Sequence, residues 1–324
     1  MSISKKMRIR RMTIVLLFCF LIPPPCLIAK QKTVKDARPY ILVLGIAQDG
    51  GVPQAGTKEH AGWSNKQFHR NVVCLALVDP QTKQRWMFEA TPDFRTQLHL
   101  LDADFPVPDT PGLDGIFITH AHIGHYTGLM FLGHESLGSE NVPVYVMPKM
   151  QSFLSHNGPW DQLVRYKNIK LLSLHANEPV VLNKHLSVTP IPVPHRQEYS
   201  EVVGFKIQGP NKSILFIPDI DSWEELDAWG VHIEDLIKQV DVAFLDGTFF
   251  ANGEIPGRDM SGFPHPFIKH SMQRFGKLEK AQRKKIWFIH LNHTNLALWK
   301  NSREWKQIEA NGFNLAQELQ RFEL

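Results

Sequence analysis

Three histidines within six residues, His120, His122 and His125 in the stretch Thr119-His-Ala-His-Ile-Gly-His125, are the densest concentration of chemistry in this chain. His120 and His122 alternate by two, so at an extended strand end their rings share one side. His125 lies three further on, where a turn into a helix can aim it back at the same point. Neutral imidazole is a common ligand for zinc and other borderline metals. A metal held by three imidazoles with one position open acidifies a bound water and makes a hydroxide nucleophile available. In a chain with 16 histidines a chance cluster is the competing reading. The apolar run Ile116-Phe-Ile ahead of the cluster favours a built site.

Other polar residues also sit just past apolar runs, where side chains from several strands converge at one sheet edge. They are His195 after Pro192-Val-Pro, Asp219 after Leu215-Phe-Ile-Pro, and Asp246 after Val242-Ala-Phe-Leu. Asp246 is read as a ligand or its support, against a turn-forming Asp before Gly. His265, between two prolines, is read as an acid/base facing substrate or as a ligand. After the run Lys285 to Ile289, His293 is preferred over His290, because it falls at the expected strand exit. Glu89 and Asp93 suit carboxylates that orient ligand imidazoles from behind.

The elements that must position these groups are short. Strands are expected at Tyr40 to Gly45, Val72 to Val78, Arg85 to Glu89, Ile116 to Thr119, Pro143 to Met147, Leu186 to Val193, Val202 to Ile207, Ser213 to Ile217, Val242 to Leu245 and Lys285 to Ile289. Helices are expected from Pro92 to Asp102, near His125, and over Ser222 to Trp229, His232 to Val240, Pro266 to Phe275 and Leu315 to Phe322. Several strands are joined by turns too short for a helical crossover, which argues for a layered αβ arrangement over a doubly wound sheet. No linker is evident, so residues 30–324 read as one domain.

Residues 1–29 read as a secretory signal. Lys5, Lys6, Arg8, Arg10 and Arg11 precede the apolar run Thr13 to Ile22, and Leu27-Ile-Ala29 offers a cleavage site. The run is short for a membrane span; an uncleaved anchor is the alternative. The 36 Lys and Arg against 32 Asp and Glu give a formal charge of +4. With five basic residues removed the charge is about −1, so no nucleic-acid partner is expected. Cys74 is then the remaining cysteine, and it reads as a core residue. The protein is expected in the periplasm or outside the cell.

The His-x-His-x-x-His spacing resembles the His-x-His-x-Asp-His signature of the metallo-β-lactamase superfamily. That resemblance implies an αββα sandwich, two mixed β-sheets flanked by helices. It implies one metal held by His120, His122 and His195, and a second by His125, Asp219 and His293, with Asp219 able to bridge. Within the superfamily, Leu44-Gly-Ile-Ala-Gln-Asp-Gly-Gly-Val-Pro-Gln54, Glu89-Ala-Thr-Pro-Asp-Phe-Arg95, Phe244-Leu-Asp-Gly-Thr-Phe249, Gly262-Phe-Pro-His-Pro266 and Ile289-His-Leu-Asn-His-Thr-Asn295 look like the pyrroloquinoline-quinone biosynthesis protein B branch. Gly124 departs from the signature by replacing its Asp. Asp246, His265 or a water could compensate. That branch is expected in the cytoplasm, unlike a chain with an export signal.

The chemistry expected is hydrolysis of an ester, phosphodiester, thioester or amide-like bond in a small-molecule substrate, with one or two zinc ions. Asp219 would hold metal and nucleophile in register, and His265 could protonate the leaving group. Iron or manganese is the alternative metal, with redox chemistry. A binder that has lost turnover is the third reading.

Overall fold

The computed structural model describes residues 37–324. Their strands form two seven-stranded sheets. The first has the order β14-β1-β2-β3-β4-β5-β6, with β1 Tyr40–Gly45, β2 Cys74–Asp79, β3 Gln84–Phe88, β4 Gly115–Phe117, β5 Val142–Val146, β6 Ile169–Ser173 and β14 Arg321–Glu323. The second has the order β13-β12-β11-β10-β9-β8-β7, with β7 Val180–Val181, β8 Ser187–Pro192, β9 Val203–Gln208, β10 Ser213–Ile217, β11 Val242–Asp246, β12 Ile286–Ile289 and β13 Asn314–Leu315. With helices on the outer faces, this is the expected αββα sandwich.

The strands are near-continuous apolar runs because both faces of each sheet are covered. Along β1, Ile41 and Val43 join the core between the sheets, while Tyr40, Leu42 and Leu44 join a second core under the helices. The inter-sheet core carries an aromatic knot. Phe88 and Phe117 stack at 5.1 Å between ring centroids, and Phe205 lies 5.6 and 5.5 Å from them. Phe88 and Phe117 end β3 and β4, so this packing fixes where the chain emerges with Glu89 and with Thr119-His120.

Strand direction then decides what converges. β3 and β4 are parallel, as are β10, β11 and β12. β8 and β10 each run antiparallel to β9, so they share one direction. The carboxyl ends of β4, β8, β10, β11 and β12 therefore open on one edge of the sandwich. Val203 N–H donates to Thr119 O across the sheets, at 3.2 Å.

One expected element is overturned. Leu315 to Phe322 is not a helix; it holds β13, a loop and the start of β14. Leu315 pairs with Phe288 and Phe322 with Ile41, so the segment closes one edge of each sheet. Phe322 packs 5.0 Å from Phe244 and from Trp287. Unpaired strand edges and an aromatic contact outweigh local helix propensity there. The expected signal, residues 1–29, lies outside the described residues.

Candidate metal centre

Backbone geometry sets the site before any side chain does. Glu89, His265 and His290 have φ of 81°, 80° and 63°, the left-handed region that non-glycine residues seldom occupy. Each follows a strand end or a proline, and each is held by tertiary contacts. Such conformations persist where the surroundings over-determine them, and they gather at functional sites.

His120, His122, His195 and Asp219 converge on one point. His122 Nδ1 lies 2.9 Å from His120 Nε2 and 3.1 Å from His195 Nε2. Asp219 Oδ2 lies 3.4 Å from His120 Nε2 and 3.2 Å from His195 Nε2. Ligand atoms about 2.1 Å from one tetrahedral ion sit roughly 3.4 Å apart. Three ring nitrogens facing each other cannot all be satisfied by protons, whereas one cation satisfies them together.

A second group lies beside the first. His125 Nε2 and His290 Nε2 lie 3.6 and 3.9 Å from Asp219 Oδ2, so that oxygen stands between the two groups. Asp49 Oδ1 lies 3.1 Å from His125 Nε2 and 3.5 Å from His290 Nε2. Asp49 Oδ1, Asp219 Oδ1, His125 Nε2 and His290 Nε2 are all buried without a hydrogen-bond partner. Leaving four such atoms unpaired is costly, and their convergence fits metal ions. The residues present therefore suit the group the fold implies.

Behind the ligands stands a layer of carboxylates and hydroxyls that fixes ring orientation. Wholly buried Glu89 accepts from Thr119 Oγ1 at 2.6 Å and lies 3.1 Å from His125 Nδ1. Thr119 Oγ1 in turn meets His120 Nδ1 at 2.8 Å. Asp221 Oδ1 lies 2.7 Å from His195 Nδ1, and Thr248 Oγ1 lies 2.9 Å from His290 Nδ1. Burial alone would depress the His195 imidazole, but Asp219 and Asp221 push it up to about 9. Burial would likewise raise the Asp219 carboxyl, but His265 and His195 hold it well below its usual range.

Asp246 and His265 form the third part. Asp246 Oδ1 accepts from Thr248 N and Oγ1, and Oδ2 accepts from Ile220 N and meets His265 Nδ1 at 2.8 Å. Asp246 thus holds His265 in place, and with Asp219, His265 and His290 it also forms a group that could hold a metal ion, so it stands both as support and as a candidate ligand. His265 lines a cleft of about 410 Å³ with Asp49, His122, His195, Asp219, Ile123 and Tyr199.

His290, not the expected His293, reaches the centre. β12 ends at Ile289, one residue before His290, so His290 is already the strand exit. The chain then turns through Leu291 and Asn292, which leaves His293 partly exposed and electrostatically coupled to His60. Asp93 also stands apart: its Oδ2 accepts from Val72 N at 2.9 Å. Asp49 and Asp221 were not singled out from the sequence. Position two past Asp219 is a usable signal for Asp221; Asp49 offered only its place in a Gly-Gly loop.

This fold and these converging ligands define a metallo-β-lactamase-type sandwich. The chain belongs to the beta-lactamase superfamily domain family, whose model matches residues 84–291. Among curated proteins it is similar to coenzyme PQQ synthesis protein B from Nitrosococcus oceani, 26% identical over 85% of this chain and 97% of the relative. Its fold matches Zn(2+)-bound PqqB from Methylobacterium extorquens with a TM-score of 0.72 at 22% identity, over 88% of this chain and 100% of the other. It also matches a diphosphatase of the PhnP family, with a TM-score of 0.62 at 20% identity over 89% and 98% of the two chains.

Proposed function

We propose that this protein is a metal-dependent hydrolase acting on an ester, phosphodiester or amide-like bond of a small molecule. The observation that carries this reading is the set of buried ligand atoms left without hydrogen-bond partners around Asp219. His120, His122, His195 and Asp219 would hold one zinc ion. His125, His290 and Asp219 would contribute to a second. Zinc in such a site supplies Lewis acidity and lowers the pKa of a bound water towards neutrality.

The chain's own residues do the rest. His265 Nδ1 is engaged by Asp246, which directs the other ring nitrogen away from that pair, and the ring lines the cleft. From there it can donate a proton to a leaving group. Glu89, Thr119, Asp221 and Thr248 keep the imidazoles from rotating. Ile123 and Tyr199 form an apolar rim suited to an uncharged part of a substrate, and the cleft volume suits a small molecule.

The likeness to coenzyme PQQ synthesis protein B supports a place in the synthesis of that cofactor; a second reading is an iron-dependent redox step there, which a site of histidines and carboxylates also suits. Anaerobic purification with elemental analysis separates the two. Zinc with hydrolysis across a panel of esters and phosphodiesters supports the first; iron with oxygen uptake supports the second. Bound metal with neither activity would favour a non-catalytic binder. Export rests on the signal-like sequence of residues 1–29, and N-terminal sequencing of protein from the producing cells, expected to begin at Lys30, tests it.

A further inference from the structure

We infer that Asp49 supplies the second metal position with the carboxylate that Gly124 withholds, so that the loop after β1 completes the site. The inference rests on the metal-centre reading above but not on any particular reaction.

The two positions compete for one volume. A Cβ added at Gly124 would lie 2.2 Å from Asp49 Oδ1, 2.6 Å from its Cγ and 2.5 Å from its Cα. The last contact is with backbone, so no rotamer of Asp49 relieves it. Residue 124 therefore stays without a side chain as long as Asp49 occupies this place. The carboxylate that would come from the turn between His122 and His125 comes instead from a residue 75 positions upstream.

Asp49 is also aimed as a ligand. Its Oδ1 is buried and unpartnered, 3.1 and 3.5 Å from two ring nitrogens that are unpartnered as well. Those rings are fixed from the far side, His125 by Glu89 and His290 by Thr248, so their Nε2 atoms have no freedom to turn elsewhere. The loop is tied to the segment that carries His290: Gln48 N–H donates to Leu291 O at 2.9 Å, Leu291 N–H donates to Ile46 O at 2.8 Å, and Asn292 Nδ2 donates to Gln48 Oε1. Asp49 and His290 thus form a rigid pair facing His125. Moving the carboxylate from position 124 to position 49 keeps one negative charge in the site while placing it on the cleft wall.

Metal counting tests this independently of activity. The full mature protein, its Asp49→Asn variant and its Gly124→Ala variant are loaded with Zn2+ or Co2+, dialysed and assayed by elemental analysis, with Co2+ absorption as a second readout. Two ions per wild-type chain are expected. Asp49→Asn is expected to retain the ion at His120, His122 and His195 and to bind the second at least roughly tenfold more weakly. Gly124→Ala, which adds only a methyl group, is expected to lose the same ion by displacing Asp49. Circular dichroism melting of the metal-free forms checks that both variants fold; if Gly124→Ala does not, Asp49→Asn decides alone. Two ions bound with unchanged affinity by Asp49→Asn would overturn the inference, as would a wild type holding one ion. A wild type that binds none would overturn the metal-centre reading with it.

Discussion

Glu89 is wholly buried, where it accepts from the hydroxyl and the backbone N–H of Thr119 and faces the His125 imidazole. Its role is to accept hydrogen bonds that set the direction of the His120 and His125 rings. Glu89→Gln removes the negative charge and turns one of the two acceptor oxygens into an amide donor, so a single oxygen is left to accept from Thr119 and His125. We expect zinc affinity to fall about 10- to 100-fold, measured by calorimetric titration; unchanged affinity would remove Glu89 from the centre. Glu318 offers a separate test at this scale. Burial pushes its carboxyl up to about 7, although Asn71 N–H donates to it and Arg70 lies nearby. The folded state therefore holds that proton more firmly than the unfolded chain. The resulting stability is fully present below about pH 4.5 and is lost as pH rises through 7. Glu318→Gln is expected to raise the melting temperature at pH 8 and to leave it unchanged near pH 4.5. The gain is on the order of 3 kcal/mol at most.

At the scale of elements, the strand ends were legible because an apolar run followed by a polar residue marks where a covered strand leaves the core. Asp219, Asp246 and His195 follow that rule. The choice between His290 and His293 failed because it depended on a boundary of one residue, and element boundaries are the weakest part of a sequence reading. The C-terminal strands were misread for a different reason: two- and three-residue strands carry no periodicity of their own, and only the open sheet edges make them strands. The loop between β8 and β9 brings Tyr199 to the cleft, where its ring stacks on Phe153 at 5.2 Å between centroids. Because Tyr199 touches no ligand, Tyr199→Ala is expected to raise KM roughly two- to tenfold and to leave kcat unchanged, as steady-state kinetics on a hydrolysed panel substrate would show. A fall in kcat alone would place Tyr199 in the chemical step.

For the whole molecule, backbone hydrogen bonds join the two sheets at the edge that carries the site, among them Val203 N–H to Thr119 O and Gln48 N–H to Leu291 O. Ligands arrive from both sheets, so bound metal links them, while the metal-free state leaves buried charges unpaired. Removing metal with a chelator is therefore expected to lower the melting temperature. A free ion at about one hundred times its dissociation constant contributes about 2.7 kcal/mol of linkage. The Asp49→Asn protein should show a smaller chelator effect than the wild type. Scanning calorimetry with and without chelator checks both statements, and equal melting temperatures would show that the ions do not bridge the halves.

The amino-acid sequence alone determined the class of fold and marked His120, His122 and His195 as candidate ligands and His265 as a candidate acid/base. Clustered histidines, apolar runs and a Pro-His-Pro stretch are local patterns, and local patterns survive without coordinates. Tertiary structure decided what depends on distance through space. It brought Asp49 against Gly124 across 75 residues, substituted His290 for His293, set Asp246 against His265, and set Asp221 behind His195. Those outcomes follow from parallel strand direction and from the volume a side chain fills, neither of which is written in the spacing of residues along the chain.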